Sequence, residues 1–489
     1  MLRLVAACVV LTALALAVSP RPAGARGENG LDFGEAVTLG GIREHQAALQ
    51  AIAEANGGNR LAGAGGHDDS ARYVFERARA AGYDVRFQEF TFLFSTDRTR
   101  PTLERISPAP RAFVAGTDFF TMVRSGSGEV TAEVVAVNLT VPSPQPNAST
   151  SGCAAADFAG FPAGRIALVQ RGTCVFRAKA ENALAAGAAG LIVFNEGNEE
   201  RTDAFVGDLS APPLPLPVVG TSFALGDGLR NGVLNGPTGV TAHLQTDVVN
   251  EERTTRNVIA ETPQGEPGRV VVVGAHLDSS GPGPGINDNG SGSAAILEVA
   301  EVYAAQHRRP RKKLRFIWFS AQGSNPSGST FYVESLTPAE RDTVIAMLSF
   351  DVVGSPNFVR FVYDGDLSAF PPGSAAIEQV FLEYFASQGF PTEPVPAAFS
   401  SDHVPFMAVG IPAGGLYTGT SGVKTDAQAA VYGGTAGEPY DPCWRLACDT
   451  VDNASPTVLG EMAGAIAHAV LFFSETTRDL RGAAAADVP

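Results

Sequence analysis

The residues best suited to chemistry gather in the stretch GAHLDSSGPGPGINDNGSGS, at positions 274–293. An apolar run ends in His276, Asp278 follows two residues later, and Asp288 stands twelve residues after the histidine, between two asparagines. Asp351 follows a second apolar run, in SFDVVG. Imidazole and carboxylate groups are zinc ligands. We therefore predict a metal site built from His276, Asp288 and Asp351, in which Asp278 orients the imidazole.

A simpler interpretation exists for a histidine and an aspartate this close together. A lone H-x-D motif is more often a structural histidine beside a capped helix, and GINDNGSGS has the composition of a helix start. The twelve-residue spacing, the NDNGSG loop and the later SFDVVG occur together here, and this combination favours the metal site.

The elements that must position these residues alternate along the C-terminal half of the chain. From residue 257 to about 473, apolar strands such as RVVVVGAHLD and KLRFIWFSA alternate with helices such as SAAILEVAEVYAAQH. This order predicts an α/β fold with a mixed, largely parallel sheet sandwiched by helices. Ligands of such sheets lie at the carboxyl ends of the strands, which is where the candidate residues fall. Residues 43–92 add two amphipathic helices and an alternating strand.

A second module is predicted between residues 126 and 245. Short strands alternate there with turns around a single helix, FRAKAENALAAGA, and no cluster of histidines and acids occurs. This composition is typical of a small β-rich α/β unit, separate from the predicted metal site.

The N-terminus and the cysteines predict export. MLRLVAACVVLTALALAVSPRPAGARG has a basic start, an apolar stretch and an A-x-A site, so residues 1–25 are predicted to be a signal peptide. Its apolar stretch is too short to span a membrane comfortably. Apart from Cys8, the chain contains an even set of four cysteines, which favours two disulfides in an exported protein. The simplest of three connectivities is Cys153–Cys174 and Cys443–Cys448. A zinc knuckle is the weaker alternative, because no C-x-x-C occurs.

The net charge limits the partners. The 489 residues contain 35 basic and 51 acidic side chains, for a formal charge of −16. Nucleic acids and anionic membranes bind basic patches, so we expect neither as a partner. The mature protein is expected to be secreted and monomeric, without membrane attachment, and to bind peptides or proteins.

Several motifs in this sequence carry a family resemblance. They are GAHLDS, GPGINDNGSGSAA, GSTFYV, SFDVVGSPN, SDHVPF, GGTAGEPYDPC and CDT. With these motifs the chain resembles the secreted di-zinc aminopeptidases of metallopeptidase family M28, which have the phosphorylase/hydrolase-like fold. The block GRIALVQRGTCVFRAKAENALAAGAAGLIVFN resembles a protease-associated (PA) domain. The resemblance implies an exopeptidase that releases N-terminal amino acids. It also implies a peptidase domain at residues 26–125 and 246–475, an inserted PA domain at 126–245, and a flexible tail at 476–489.

The resemblance assigns roles to individual residues and exposes departures from the family pattern. It places His276, Asp288 and Asp351 around the first zinc, with Asp288 bridging to a second. The family's general base, a glutamate, falls on Gln322, and a glutamate ligand of the second zinc falls on Gly323. Gln has no basic carboxylate and Gly has no ligand atom. No acid occurs between residues 316 and 334 that could substitute for them.

The second departure lies in the short cysteine loop, which reads CWRLAC. By the resemblance, Trp444 replaces a tyrosine that polarises the scissile carbonyl, and Arg445 replaces the remaining histidine ligand. Arg445 could pair with Asp288 in place of the lost cation, or it could be an exposed loop residue. His403, in SDHVPF, matches a structural histidine of the family. Four further histidines are expected on the surface, at caps or in the core: His67, His243, His307 and His468.

Two functional hypotheses follow from these departures. The first is a member of this family whose aminopeptidase activity is lost or severely weakened, and which binds at most one zinc tightly. The second is an active zinc aminopeptidase that uses an unusual or mononuclear site. A serine hydrolase is a poor third, because no clean G-x-S-x-G motif occurs. The missing base favours the first hypothesis, since general base catalysis alone contributes about 10²–10⁴-fold.

Overall fold

The computed structural model describes residues 31–198, 201–279, 281–323, 326–367, 369–395, 400–477 and 480. The expected signal peptide and most of the expected tail lie outside these residues. The described chain forms two mixed β-sheets with their helices.

The first sheet contains the strands that lead to the candidate site. Its strands are β1 (Asp84–Asp97), β10 (Val248–Glu261), β11 (Glu266–His276), β12 (Lys312–Phe319), β13 (Val344–Phe350), β14 (Phe361–Val362), β15 (Glu393–Pro394) and β16 (Ala413–Tyr417). Their spatial order is β1-β10-β12-β11-β13-β16-β14-β15. The four central strands β12, β11, β13 and β16 are parallel, and antiparallel pairs flank them. The predicted mixed, largely parallel sheet is confirmed.

Helices cover both faces of this sheet. They are α1 (Leu31–Ala36), α2 (Leu39–Ala55), α3 (Gly65–Ala80), α6 (Gly290–Ala305), α7 (Ser327–Ser335), α8 (Pro338–Thr343), α9 (Ser374–Ser387), α10 (Val404–Ala408), α11 (Asp426–Tyr432) and α12 (Pro456–Glu475). One apolar core lies between the sheet and α1, α2, α3, α6, α9 and α12. A smaller core on the other face includes residues of α7 and α10.

Helix α12 is long and apolar enough to cross a membrane by length and composition. It belongs to the first apolar core, where it contacts α1, α6 and α9. Among the described residues, no other helix meets the same criterion.

The second sheet belongs to the predicted accessory module. Its strands are β2 (Thr102–Ser107), β3 (Arg111–Ala112), β4 (Phe119–Thr121), β5 (Gly128–Ala136), β6 (Ile166–Gln170), β7 (Gly190–Phe194), β8 (Val218–Thr221) and β9 (Gly236–Thr246). Helices α4 (Phe176–Ala185) and α5 (Phe223–Arg230) and a short 3₁₀ helix (Ala155–Phe158) accompany it. The strands follow the order β3-β2-β9-β5-β6-β7-β8-β4.

The change from one sheet to the other falls earlier than the expected boundary at residue 126. Strands β2, β3 and β4, between residues 102 and 121, pair within the second sheet and not with the first. Leu103 pairs with Leu244, at the opposite end of the inserted segment, so the pairing cannot be predicted from a local sequence pattern. From the sheets we infer that the inserted unit begins near residue 98 and ends near residue 247.

The second sheet is inserted at the tip of a hairpin of the first. Strands β1 and β10 are antiparallel along their whole length, and the last of their residue pairs joins Asp97 to Val248. Everything between these two residues leaves and re-enters the first sheet at one point. The inserted unit therefore interrupts no other strand pairing of the first sheet.

Candidate metal centre

Three buried ligand groups meet at the carboxyl edge of the first sheet. His276 is the last residue of β11, and Asp351 follows the last residue of the neighbouring parallel strand β13. The Nε2 atom of His276 lies 3.2 Å from Oδ1 of Asp288 and 3.2 Å from Oδ1 of Asp351. One ligand atom from each residue lies within 4.8 Å of the other two. The donor set and its burial fit one zinc ion.

Two asparagines hold the loop that carries Asp288. The side chain of Asn289 accepts from the backbone N–H of Gly292 and donates to the carbonyl of Phe350, which joins the start of α6 to the end of β13. Asn287 donates through its amide to Asp441 and accepts from the N–H of Gly354. The NDN sequence thus fixes the position of Asp288 by polar contacts on both sides.

Asp351 is positioned by an unusual backbone and by a serine. The next residue, Val352, has φ of +55°, a left-handed conformation that is rare for a β-branched side chain. The side chain of Asn289 accepts from the N–H of Val352, and Thr418 donates to its carbonyl, so neighbouring elements hold this turn. Ser401 donates to Oδ2 of Asp351 at 2.7 Å, which leaves Oδ1 directed at His276.

The orientation of His276 differs from the sequence-based expectation in one respect. Its Nδ1 lies 3.0 Å from the backbone carbonyl of Asp278 and 3.7 Å from the carboxylate of that residue. The carbonyl is the hydrogen-bond partner, so Nδ1 carries the proton and Nε2 faces the two ligand aspartates. The Asp278 carboxylate accepts the backbone N–H of Gln322 instead, at 3.2 and 3.4 Å.

At the position that the family resemblance assigns to a second zinc, the described residues place a backbone carbonyl and a guanidinium beside Asp288. Gly323 supplies a backbone carbonyl there, which accepts a hydrogen bond from Nη2 of Arg445 at 2.8 Å. Nε of Arg445 lies 3.8 Å from Oδ2 of Asp288, an ion pair slightly longer than a hydrogen bond. The side chain of Trp444 also acts on Asp288 and lowers the pKa of that carboxyl. The two residues that the family resemblance assigns to lost ligands thus bind to each other, beside the outer oxygen of Asp288.

The charges of this cluster compensate one another. Burial alone would lower the pKa of His276, but the three surrounding aspartates raise it well above its usual value. Burial would raise the pKa of Asp288, but His276, Arg445 and Trp444 together lower it. Asp288 is therefore ionised at neutral pH, as a ligand or an ion-pair partner must be.

Two residues that support the site were not found from the sequence. Arg60 is fully buried and donates to the carbonyls of Leu277, Pro284 and Gly285, so that it holds together the loop between His276 and Asp288. Asp449 accepts the backbone N–H groups of Asn287 and Asp288 at 2.7 and 3.0 Å. Both residues are distant in sequence from the loop that they hold. Asp449 lies in the CDT motif, but the sequence alone assigns it no role, and Arg60 lies in none of the motifs.

The remaining histidines lie apart from this centre. His403 packs on Tyr363 and Phe370, and burial lowers its pKa to about 3. Four others also lie in structural surroundings. His67 contacts a backbone carbonyl, His243 pairs with an acid of the second sheet, His307 is itself a left-handed residue after α6, and His468 packs on a tyrosine ring.

A second group of metal-ligand type occurs between α2 and α6. His45 Nε2 lies 3.8 Å from Glu298 and 3.9 Å from Glu301. The guanidinium of Arg77 binds both oxygens of Glu301, at 2.6 and 2.7 Å. Because this cation is already present, the group has the character of a buried polar cluster between helices.

Both predicted cysteine pairs are disulfides in the structure. Cys153 and Cys174 join two loops of the second sheet, and Cys443 and Cys448 close the short loop that carries Trp444 and Arg445. The second disulfide therefore constrains the two residues next to Asp288.

The mixed sheet, its helical layers and the buried His–Asp–Asp set define an α/β metallohydrolase. Comparison with known proteins refines this class. The description "Peptidase family M28" matches residues 257–470, and "PA domain" matches residues 130–229. The chain is 45% identical over 439 residues to "Aminopeptidase" of Pseudomonas aeruginosa strain UCBPP-PA14, across 88% of this chain and 80% of that protein.

Two further similarities agree with this one. "Leucine aminopeptidase 2" of Trichophyton rubrum is 37% identical over 434 residues, across 87% of this chain and 81% of its own length. The solved structure "Aminopeptidase from Aneurinibacillus sp. strain AM-1" superposes with a TM-score of 0.68 and 25% identity, across 93% of this chain and 98% of that one. The chain belongs to the zinc aminopeptidases of peptidase family M28 and carries an inserted PA domain.

Proposed function

We propose that this protein is an exported member of the aminopeptidase family that binds peptides but has lost, or nearly lost, the turnover of its relatives. The observation that carries the proposal is the contact between Arg445 and Gly323 beside Asp288. A guanidinium lies where the family resemblance would put the second zinc, and that position offers no further carboxylate or imidazole among the described residues.

One zinc ion per chain is the expected metal content. His276, Asp288 and Asp351 would hold it, and the ion would act there as a Lewis acid for a bound carbonyl or water. Gln322 presents an amide where relatives have a general base, and an amide takes no proton from water near neutral pH. General base catalysis contributes about 10²–10⁴-fold in enzymes, so its loss alone would make the activity very low.

The decisive experiment measures activity and metal content on the same preparation. We expect at most one tightly bound zinc per chain by elemental analysis. We also expect no chelator-sensitive release of p-nitroaniline from aminoacyl anilides above the level of a His276→Ala control. Robust zinc-dependent turnover by the unmodified protein would contradict the proposal and favour an active enzyme with a mononuclear site.

A rescue experiment tests the cause of the loss. Restoring Gln322→Glu, Gly323→Glu, Trp444→Tyr and Arg445→His together is the fair attempt, because residues that act as one unit do not contribute additively. Single reversions should remain inactive. A Cβ atom added at Gly323 would meet no atom within 4 Å, but the φ of +40° there strains any residue other than glycine. The rescue should therefore be partial.

Export is the second part of the proposal. The N-terminal sequence and the even set of cysteines support it. We expect the mature N-terminus to begin after Ala25, with no thiol that titrates in the folded protein. Four reactive thiols in the purified, exported chain would contradict this expectation.

A further inference from the structure

Arg445 is held in a defined position at the edge of a cleft. Nη2 donates to the carbonyl of Gly323 at 2.8 Å, and the guanidinium carbon lies 4.5 Å from the centre of the Trp444 ring. The Arg445 backbone is left-handed, with φ of +58°, inside the Cys443–Cys448 loop. Stacking, a hydrogen bond and a closed loop together restrict this side chain, and its Nε has no hydrogen-bond partner in the described structure.

The cleft beside Arg445 is large and lies between the two sheets. Its volume is about 780 Å³, enough for a short peptide. The site contributes Asp278, Gly323 and Arg445 to its wall, and the hairpin and the second sheet contribute aromatic rings. Those rings belong to Phe92, Phe94, Phe119 and Phe120.

The charged residues that line this cleft are mainly arginines. Arg98, Arg100 and Arg124 line it together with Arg445, and the acids are Asp97 and Asp278. Arg98 and Arg124 are paired with Asp247 and Asp208. Within the described residues no ion pair is formed by Arg100, and Arg445 makes only the 3.8 Å contact to Asp288. The cleft therefore offers cationic groups beside an apolar wall.

This charge pattern determines which end of a peptide fits beside the site. An α-ammonium group at Arg445 would face a guanidinium, and neither Gln322 nor Gly323 provides a carboxylate to bind it. A carboxylate would instead accept hydrogen bonds from the guanidinium of Arg445, whose N–H donors are only partly used, since guanidinium and carboxylate form charge-assisted hydrogen bonds. Repulsion between the guanidinium of Arg445 and an α-ammonium group disfavours a ligand with a free amine there, and this repulsion gives the cleft its selectivity for a carboxylate.

We propose that the cleft binds peptides through a carboxylate at Arg445, with apolar side chains against the phenylalanine wall, and disfavours a free N-terminal amine there. The inference rests on the proposed function, peptide binding without turnover, and specifies its ligand. The carboxylate can come from a peptide C-terminus or from an acidic side chain.

Calorimetric titration with four peptides of one apolar core sequence tests the inference. The first has an acetylated N-terminus and a free carboxylate, and the second a free amine and an amidated C-terminus. The third is blocked at both ends, and the fourth is blocked at both ends but contains one glutamate. We expect at least one carboxylate peptide to bind about tenfold more tightly than the blocked peptide, as one charge-assisted hydrogen bond allows. The free-amine peptide should bind no better than the blocked one.

Variants assign the effect to Arg445. Arg445→Gln should remove the tenfold preference and Arg445→Lys should retain part of it. The control Arg79→Gln, on an exposed arginine of α3 outside the cleft, should change it less than about twofold. Near-ultraviolet circular dichroism and the thermal midpoint establish that each variant is folded. Each titration is repeated after chelation, because a bound zinc could itself accept the carboxylate.

The possible results separate the inference from the proposed function. Tighter binding of the free-amine peptide would overturn the inference and leave peptide binding intact. A preference that survives Arg445→Gln, or that disappears on chelation, would also overturn it. Binding of none of the four peptides would overturn both.

Discussion

Asp288 is the residue on which the site depends, and its backbone is held by a group that is not one of the predicted metal ligands. Its backbone N–H and that of Asn287 donate to Asp449, a carboxylate that is 1% exposed. Burial raises the pKa of Asp449 to about 7, partly offset by the hydrogen bond from Asp288. Such an outer residue aligns a ligand without touching the ion.

We therefore predict that Asp449→Asn weakens zinc binding about 10–100-fold, the usual effect of removing a residue that orients a metal ligand. One acceptor oxygen becomes an amide that would face a backbone N–H, so the loop around Asp288 shifts. Competition with a chromophoric chelator measures the affinity. Asp452→Asn, at an exposed position of the same loop, is the control and should leave it unchanged. Equal affinities in both variants would show that Asp449 does not position Asp288.

The sequence predicts the metal-ligand residues, but it does not predict the residues that hold them in position. His276, Asp288 and Asp351 were predictable because parallel strands place their carboxyl ends along one edge. Arg60 and Ser401 reach the same site from distant segments, and long-range hydrogen bonds leave no periodicity in the sequence. The effect of Trp444 on the pKa of Asp288 escaped prediction for a different reason. An indole cannot replace a tyrosine hydroxyl, but the Trp444 side chain can still lower the pKa of Asp288.

At the scale of elements, the contact between α6 and β13 determines how closely Asp288 and Asp351 approach. The helix begins with GSGSAA, and these small residues allow it to pack directly on the end of the strand. A Cβ atom added at Gly292 would lie 2.3 Å from the carbonyl oxygen of Phe350 and 2.5 Å from Oδ1 of Asn289. Glycine is therefore required at this position because a Cβ atom would clash with its neighbours, and not because the backbone adopts a positive φ.

We predict that Gly292→Ala lowers the free energy of unfolding by about 1–3 kcal/mol, the usual range for overpacking, and weakens zinc binding as well. Gly460→Ala in α12 is the matched control, because its added Cβ meets no atom within 4 Å. There the better helix propensity of alanine should raise stability by about 0.5–1 kcal/mol. Urea unfolding of both variants measures the difference. Stabilisation by both substitutions would show that α6 can move away from β13.

At the scale of the whole molecule, the chain passes between the two sheets at only one place within the described residues, the tip of the β1–β10 hairpin, where it leaves the first sheet and returns to it. Sequence patterns indicate a separate module that starts at residue 126, whereas the strand pairing indicates a start near residue 98. The strands in between are short, and their partners lie in β9 and β8, near the far end of the inserted segment. Strand pairing over such distances follows from the completed fold and not from local propensity.

We predict that replacing residues 98–247 by Asn-Gly gives a folded protein with the first sheet and one zinc site intact. Asp97 and Val248 are already paired, and Asn-Gly is a favourable two-residue turn. The same variant should lose peptide binding, because Phe119 and Phe120 form part of the cleft wall. Circular dichroism, thermal unfolding and elemental analysis measure the outcome. An unfolded or aggregated product would show that the first sheet needs the inserted unit for its own stability.

The hairpin insertion also affects the order in which the chain can fold. When β1 leaves the ribosome, the whole inserted unit still separates it from its partner β10, and closing a flexible loop of that length is entropically unfavourable. If the inserted unit folds first, it brings residues 98 and 247 together, so that β1 and β10 meet as though a short turn joined them. The difference in loop-closure free energy is about 4 kcal/mol when it scales with the logarithm of loop length. The inserted unit would then help the hairpin β1–β10 to form at one side of the first sheet, the sheet whose central strands carry the metal centre. It would do so in addition to forming part of the cleft wall.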